Sequence, residues 1–206
     1  MLYRLTPGLV LRSPWRPYFP RGGERVLVVK APQVFPPSHP TTRLCLELLT
    51  ETLSGNSHAW VLDVGCGSGI LALAAAALGA PFCVGVDLNR QAAEVSRDNA
   101  WLNGLADRLR VVQGSTEAIK VKFRLLVANL PVKVQLEKVE ELTRLAGPGA
   151  SLILSGFRDT QEEELRCAYE AAGWRSRRRL TVDEWAIELP PEGSFTWAAW
   201  LLVRED

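Results

Sequence analysis

The residues best suited to chemistry form a glycine turn with an acidic residue on either side. The turn lies in Asp63-Val-Gly-Cys-Gly-Ser-Gly69, between a short apolar run and the Ala/Leu-rich stretch from 70 to 80. Glycine adopts positive φ without strain and has no Cβ, so a ligand can lie directly on backbone N–H groups at the start of the following helix. Asp87 closes the next apolar run, where an acidic side chain can accept hydrogen bonds from two vicinal ribose hydroxyls. The spacing therefore predicts a site for a nucleoside-containing ligand.

The glycine spacing separates the candidate ligand classes. A dinucleotide-binding turn, G-x-G-x-x-G, would need glycine at the position of Ile70, and no Gly-Lys-Ser/Thr sequence or arginine follows the turn, which disfavours NAD, FAD and ATP. The pattern resembles motif I of class I S-adenosylmethionine-dependent methyltransferases. That resemblance implies S-adenosyl-L-methionine as cofactor, S-adenosyl-L-homocysteine as product, and a role for Asp63 as negative charge near the cationic groups of the ligand. The alternative is a structural glycine turn in a flavodoxin-like domain.

Residues after the second and third predicted strands extend this site towards the base of the ligand. Leu88 is expected to flank an adenine ring. Ser115 stands where many methyltransferases have an aspartate that accepts a hydrogen bond from the adenine amino group. Glu117 is interpreted as either a surface residue or a ligand contact, and Asp87 as either the ribose acceptor or a helix N-cap.

A second chemical feature is Asn129-Leu-Pro-Val132, which ends a later apolar run. Methyl transfer is a displacement at an activated carbon, so an enzyme mainly has to align a deprotonated nucleophile. The amide oxygen of Asn129 and the carbonyl of Leu130 can accept N–H bonds from an amine, and Pro131 favours the extended conformation that turns this carbonyl outward. The tetrapeptide resembles the Asn-Pro-Pro-Tyr type motif of amino-group methyltransferases, without its aromatic residue. Asn129 as a strand-end turn residue is the alternative, and His39 is the candidate general base.

The elements that must position these residues alternate between apolar runs and helical segments. This alternation predicts an α/β fold, a Rossmann-like doubly wound, mostly parallel sheet of the class I methyltransferase type. The last two strands are separated only by the turn at 190–193, so they should form an antiparallel C-terminal hairpin. The predicted strands are 60–64, 82–87, 109–113, 123–129, 151–155, 177–189 and 195–203, and the predicted helices are 40–53, 69–78, 89–103, 135–145 and 160–172.

The first part of the chain is proline-rich and irregular. Residues 1–40 are predicted to form an N-terminal arm, and residues 41–206 the cofactor-binding domain. Short strands at 9–12 and 25–30, with a turn at 21–24, predict a hairpin in the arm. The hairpin is interpreted either as a lid over the domain or as a packed leader arm.

Composition limits the partners of the chain. Its 206 residues are 47% hydrophobic and 23% charged with a net charge of +1, so neither a broad nucleic-acid surface nor a membrane surface is expected. The four cysteines show no C-x-x-C spacing and the N-terminus has no apolar signal core, which favours a reduced, cytoplasmic protein. No metal site is predicted, and the C-terminal tryptophans leave a homodimer contact open.

Several segments together resemble PrmA, the bacterial family of methyltransferases that act on a large-subunit ribosomal protein. The similarity covers about residues 9–175 and is carried most specifically by His39-Pro-Thr-Thr42 and Ser96-Arg-Asp-Asn99. It implies N-methylation of a protein, at lysine or another amino group, by direct displacement. It also implies cofactor contacts from Thr41 and, because the family's Phe-Gly-Thr-Gly-Thr-His loop has lost both glycines here, from Ser38.

The same resemblance also bears on the substrate. The family carries an N-terminal domain that presents the ribosomal substrate, and this chain is expected to lack it, so a protein substrate is expected but its ribosomal identity is left open. Methylation of a small molecule or a glutamine side chain, and a non-catalytic cofactor-binding module, are the alternatives. The predicted catalytic residues are Asn129 and Leu130. The predicted cofactor-binding residues are Ser38, Thr41, Asp63, Gly65, Cys66, Gly67, Gly69, Asp87, Leu88, Ser115 and Asn129.

Overall fold

Ten strands and six α-helices make up the part of the chain described by the computed structural model, residues 2–6, 8–31, 36–55, 59–186 and 190–204. The strands are β1 (Leu2–Thr6), β2 (Leu9–Arg12), β3 (Arg25–Val28), β4 (Val61–Val64), β5 (Cys83–Asp87), β6 (Leu109–Gln113), β7 (Phe123–Asn129), β8 (Ala146–Arg158), β9 (Trp174–Asp183) and β10 (Thr196–Arg204). The helices are α1 (Pro40–Gly55), α2 (Ile70–Ala77), α3 (Arg90–Leu102), α4 (Val132–Glu137), α5 (Val139–Leu145) and α6 (Glu162–Ala171).

A seven-stranded sheet in the order β6-β5-β4-β7-β8-β10-β9 forms the centre of the fold. The five strands from β6 to β8 are parallel, and β10 is antiparallel to both β8 and β9. This topology confirms the predicted doubly wound, mostly parallel sheet with an antiparallel C-terminal hairpin.

The sheet is covered on both faces, and the residues of its central strands β4 and β5 are mostly apolar. All four residues of β4 are buried, as are Cys83 to Val86 of β5. One apolar cluster joins the sheet to α1 and α2, and a second joins its other face to α5 and α6. Strands buried on both faces are expected to read as near-continuous apolar runs, as these do. None of the helices in the described residues combines the length and hydrophobicity needed to cross a membrane.

Several element boundaries differ from the predicted ones. The helix predicted at 135–145 is two short helices that meet at Lys138, whose φ is −103°. The strand predicted at 151–155 extends over 146–158 because it pairs with β7 on one side and β10 on the other. The strand predicted at 177–189 begins and ends earlier, at 174–183, and residues 187–189 lie outside the described part.

The N-terminal arm forms a separate three-stranded sheet, and the predicted hairpin between β2 and β3 is wrong. These two strands pair in parallel, with Leu9 opposite Arg25, while the unpredicted β1 is the antiparallel partner of β2. Parallel pairing needs a connection of roughly a dozen residues, and the segment 13–24 provides one. Leu9, Leu11 and Leu27 join the apolar cluster of α1 and α2, so the arm packs on the domain. The domain boundary at residue 40 stays a prediction.

Asn99 of α3 and Asn103, which caps the C-terminus of that helix, hold the arm in place. Asn103 exchanges hydrogen bonds with the backbone N–H and carbonyl of Val28, at 2.8 and 2.7 Å. The buried Asn99 accepts from the N–H of Lys30 at 2.9 Å and donates to its carbonyl at 2.7 Å. Its amide also donates to the carbonyl of Ser68 at 2.9 Å. Asn99 therefore ties the arm directly to the glycine turn.

Candidate functional site

A cavity of about 680 Å³ opens where β4, β5, β6 and β7 end. Its volume suits a small-molecule ligand, for which sites of about 300–1,000 Å³ are typical. It also lies where doubly wound sheets bind ligands, outside the carboxyl ends of the strands. The predicted residues that line it are Thr41, Gly65, Cys66, Gly67, Asp87, Leu88, Ser115, Asn129 and Leu130.

The glycine turn is held against β5 by its backbone. Gly65 and Gly67 have φ values of 69° and 55°, a left-handed conformation that favours glycine. The N–H groups of Gly65 and Cys66 donate to the carbonyl of Val86 at 2.8 and 3.1 Å. The turn is thereby held at the cavity wall, where Gly65, Cys66, Gly67 and Ser68 line the cavity.

Asp87 joins this turn to the start of α3. Its Oδ2 accepts from the N–H of Gly67 and its Oδ1 from the N–H of Asn89, both at 2.9 Å. The helix cap is a different residue, since the side chain of Asn89 accepts from the N–H of Gln91 at 2.8 Å and caps α3 itself. Each carboxylate oxygen keeps a further lone pair for a ligand hydroxyl. Asp87 is therefore oriented at the cavity wall and is not the N-cap residue.

Two predicted cofactor contacts lie outside the cavity wall. Gly69 does not line it. A Cβ at Gly69 would overlap the hydroxyl of Ser96, so this glycine allows α3 to pack closely on the turn. Ser38 does not line the cavity either, whereas the neighbouring His39 does. Phe35, at the start of the same loop, lies outside the described residues.

Asp63 is also displaced from its predicted role. Its side chain is buried beneath the turn, and its Oδ2 accepts from the N–H of Ala72 in α2 at 3.1 Å. Burial raises the pKa of this carboxyl to about 7, with a smaller contribution from the negative charge of Asp87. Asp63 therefore lies beneath the turn, where it binds the backbone of α2, and it does not line the cavity.

Asp63 should make the stability of the protein pH-dependent. Its folded pKa of about 7 exceeds the unfolded value of ~3.9, so unfolding releases a proton and the free energy of unfolding falls as pH rises between these values. Asp63→Asn keeps an acceptor for Ala72 but cannot ionise. The difference in melting temperature, variant minus unsubstituted protein, should be more positive at about pH 8 than at about pH 5.

The matched control is Asp98→Asn, which changes an exposed carboxylate on α3. It should leave the difference in melting temperature between the two pH values unchanged. An equal effect of Asp63→Asn at both pH values would contradict the assignment of a raised pKa to Asp63.

Asn129 presents an unpaired acceptor at the end of β7. Its Nδ2 donates to the hydroxyl of Thr42 at 3.5 Å, while its Oδ1 is buried and has no hydrogen-bond partner among the described residues. Both residues line the cavity. A buried acceptor left unpaired costs about 1–3 kcal/mol, so such an atom in a ligand cavity indicates a position for a ligand N–H or O–H group. Thr42 had not been predicted to contribute to the site.

The carbonyl of Leu130, predicted to accept from an amine, already accepts one hydrogen bond within the protein. It accepts from Nε2 of Gln135 at 2.5 Å, and the N–H of Leu130 donates to the carbonyl of Ser155 at 3.0 Å. Gln135 is fully buried and donates to that same Ser155 carbonyl at 2.9 Å. Leu130 is thus fixed between α4 and β8. A polar residue on the buried face of α4 was the available sequence signal for Gln135.

Gly156 of β8 allows this arrangement, and Gly156→Ala should disrupt it. Its φ is +98°, and a Cβ there would overlap the carbonyl oxygen of Leu130 and lie 2.9 Å from its carbon and nitrogen. Gly79→Ala is the control, because φ at Gly79 is +110° but nothing lies within 4 Å of an added Cβ. Gly156→Ala should lower the free energy of unfolding in urea by about 1–3 kcal/mol more than Gly79→Ala. Equal losses would contradict the close packing of Leu130 on β8.

An imidazole and an indole form another part of the wall. The rings of His39 and Trp197 meet edge to face, with centroids 5.1 Å apart, and Nδ1 of His39 lies 2.8 Å from the hydroxyl of Thr41. Burial lowers the pKa of His39 below its usual range, with a further lowering by Arg158, so the neutral imidazole is favoured. The guanidinium of Arg158 stacks on Trp197, 3.5 Å from the ring centroid. The participation of Trp197 depends on the pairing of β10 and was not predicted.

A cluster of charged and polar side chains lies just after the end of β6. Lys138 lines the cavity, and its Nζ donates to Oγ of Ser115 at 3.0 Å and to Oε1 of Glu117 at 2.6 Å. The Glu117 side chain is 57% exposed and does not line the cavity, which supports its interpretation as a surface residue. The hydrogen bond from Lys138 is the main cause that holds the pKa of Glu117 at about 2.

The strand order and this cavity define a class I methyltransferase fold. A crystal structure described as ribosomal protein L11 methylase from Lactobacillus delbrueckii subsp. bulgaricus superposes with a TM-score of 0.84 at 22% identity, covering 100% of this chain and 98% of that one. Residues 14–189 match the family model described as ribosomal protein L11 methyltransferase (PrmA). The chain belongs to this family.

Two relatives show the extent of the similarity. A ribosomal protein L11 methyltransferase of Sorangium cellulosum is 39% identical over 169 residues, which are 81% of this chain and 53% of that protein. Another, of Syntrophotalea carbinolica, is 36% identical over 189 residues, 90% of this chain and 61% of that protein. The chain thus spans little more than half the length of the curated relatives it matches.

Proposed function

We propose that this chain transfers a methyl group from S-adenosyl-L-methionine to an amino group of ribosomal protein L11, a lysine side chain being the preferred acceptor. The observation that carries the proposal is the unpaired, buried Oδ1 of Asn129 in the same cavity as the glycine turn and Asp87. Family membership supports the reaction class, and the names of the relatives support the choice of L11.

The cavity residues fit the proposed cofactor. S-Adenosyl-L-methionine supplies a methyl group on a sulfonium, which is already activated for displacement. Asp87 offers two oriented oxygens for vicinal ribose hydroxyls, and the backbone at Gly67 is open, with nothing within 4 Å of the position of a Cβ. Leu88 and Ser115 line the part of the cavity beyond Asp87, where the base would lie. In this arrangement Asp63 acts through the turn and not by contact.

The acceptor amine would be aligned by Asn129. Its Oδ1 accepts one amine N–H, and Thr42 restrains the amide through its Nδ2. The amine lone pair then forms the C–N bond as the carbon–sulfur bond breaks, and the sulfur leaves as a neutral thioether. Lysine has an unperturbed pKa of ~10.4, so its ammonium must lose a proton first, and a desolvated site favours the neutral amine. The neutral imidazole of His39 on the same wall is our candidate proton acceptor.

Methyl transfer to defined acceptors tests this proposal. The chain is incubated with tritium-labelled S-adenosyl-L-methionine and, separately, with purified ribosomal protein L11, ribosome-depleted lysate protein and the small-molecule fraction. Label should enter L11, and amino-acid analysis should show methylated lysine and no methylglutamine. Label found only in small molecules would overturn the protein substrate. Binding of S-adenosyl-L-homocysteine without any transfer would instead support a non-catalytic cofactor-binding module.

The proposed location is the cytoplasm, where ribosomal protein substrates occur. The four cysteines, Cys45, Cys66, Cys83 and Cys167, are free thiols. Burial raises the pKa of the Cys45, Cys66 and Cys83 thiols, so these three are unreactive and suit structural packing in a reducing compartment.

A further inference from the structure

Lys138 occupies an unusual position at the junction of two helices. It follows the last residue of α4 and precedes the first of α5, and its φ of −103° and ψ of 4° break the helical path. The break lets its side chain reach Ser115, 23 residues earlier in the chain, at the end of β6. Only 20% of the Lys138 side chain is exposed, and it lines the cavity. A long cationic side chain is thereby held at the far end of the proposed cofactor site.

Two of the three N–H groups of Lys138 have partners. A lysine ammonium has three donors and no acceptor. One N–H donates to Ser115 and one to Glu117, and no third acceptor for Nζ exists among the described residues. These two bonds fix the ammonium geometrically, because Ser115 belongs to the cavity wall and Glu117 stands outside it. The remaining donor is available to a ligand in the cavity.

The order of the strands shows which part of the ligand would meet this donor. The sheet runs from β7 through β4 and β5 to β6, so the cavity floor passes from Asn129 to the glycine turn, then to Asp87 and finally to Ser115. The methyl group must lie near Asn129 and the ribose near Asp87. The base, attached to the ribose on the side away from the sulfur, then lies towards β6 and Lys138. The edge of adenine carries ring nitrogens that accept hydrogen bonds.

We propose that Lys138 is a specificity-determining residue of the cofactor site, whose third N–H donates to a ring nitrogen of the adenine. This proposal rests on the proposed function, because it assumes that the cavity binds an adenosyl group. Ser115 and Glu117 act as positioning residues that hold the ammonium. The site therefore selects a base that offers an acceptor at this point, in addition to any contact made by Ser115 itself.

Calorimetry with base-modified ligands tests the contact. The ligands are S-adenosyl-L-homocysteine and its analogues in which N1, N3 or N7 of adenine is replaced by C–H. One of the three analogues should bind the unsubstituted protein roughly tenfold more weakly than the parent ligand, as for loss of one charge-assisted hydrogen bond. Lys138→Met should bind S-adenosyl-L-homocysteine about tenfold more weakly than the unsubstituted protein does. In this variant the analogue that lacks the critical nitrogen should bind no more weakly than S-adenosyl-L-homocysteine itself.

The matched control is Lys133→Met, which removes an exposed lysine of α4 that does not line the cavity. It should leave all four affinities unchanged. Unchanged affinity of Lys138→Met for S-adenosyl-L-homocysteine, or the same analogue pattern in this variant as in the unsubstituted protein, would overturn the contact and reduce Lys138 to a surface ion pair. Absence of binding by the unsubstituted protein would instead overturn the proposed cofactor, and the contact with it.

Discussion

Replacing Asn129 with alanine is expected to lower the turnover of methyl transfer to ribosomal protein L11 by ~100-fold or more, while calorimetry finds the affinity for S-adenosyl-L-homocysteine unchanged. The side chain carries an unpaired acceptor of the cavity, and in the proposed mechanism its loss removes the group that orients the amine lone pair. Displacement at an activated methyl group depends mainly on alignment, so the effect should fall on turnover. Because Nδ2 makes only a long bond to Thr42, 3.5 Å, little native structure depends on it.

Two variants make this result interpretable. Asn129→Asp keeps an oxygen at the same place and should retain more activity than the alanine variant. Asn103→Ala removes an amide of the same kind from the C-cap of α3, where it anchors the arm at Val28, and should lower the melting temperature without lowering turnover per folded molecule. Full activity of Asn129→Ala would show that the amine is aligned by other groups.

Replacing Asp87 with alanine should weaken the binding of S-adenosyl-L-homocysteine by ~100-fold or more. The variant would lose the two proposed hydrogen bonds from the ribose hydroxyls to the Asp87 carboxylate, each worth about 1.5–3 kcal/mol when the acceptor is charged. The substitution also frees the N–H groups of Gly67 and Asn89, which Asp87 now holds at 2.9 Å, so the turn itself should loosen. Titration calorimetry gives the dissociation constant, and thermal unfolding without ligand separates the loss of binding from the loss of structure.

The conservative variant and a surface control complete this test. Asp87→Asn keeps one acceptor oxygen and should lose less affinity than Asp87→Ala. Asp98→Ala removes an exposed carboxylate from α3, outside the cavity, and should bind the ligand normally. If Asp87→Ala bound as tightly as the unsubstituted protein, the ribose would have to be held elsewhere and the assignment of the cofactor site would fail.

The sequence predicted best the strands at the centre of the sheet, whose residues are buried on both faces. Strands β4, β5 and β7 are mostly apolar because helices cover both faces of the sheet, with Asp63 and Arg124 as interior exceptions, and β5 and β7 end at the polar residues Asp87 and Asn129. The glycine turn and Asp87 follow directly from such strand ends. Their place at one cavity is a consequence of parallel pairing, which the alternation of strands and helices already indicated.

The parts that were missed depend on contacts between distant segments. Thr42 meets Asn129 across 87 residues, and Trp197 reaches the cavity only because β10 pairs with β8 in one particular register. The role of Asp63 as a charge near the ligand came from the resemblance to motif I, whereas its position beneath the turn depends on the packing of α2. The parallel pairing of β2 with β3 and the antiparallel pairing of β1 with β2 were also missed, because the direction of pairing is set by contacts between segments and not by the pattern within one strand.

The position of β9 has a consequence for the order of folding during synthesis. This strand precedes β10 in the chain, yet it lies at the edge of the sheet, and within the described part of the chain β10 is its one pairing partner. It therefore leaves the ribosome with its backbone donors and acceptors unpaired, until β10 follows and inserts beside β8. Edge strands in this condition tend to associate with other chains, and charged side chains oppose that association. The run Arg175-Ser-Arg-Arg-Arg179 gives β9 a positive charge. This charge is suited to keeping the nascent chain monomeric before Arg179 forms its ion pair with Glu162.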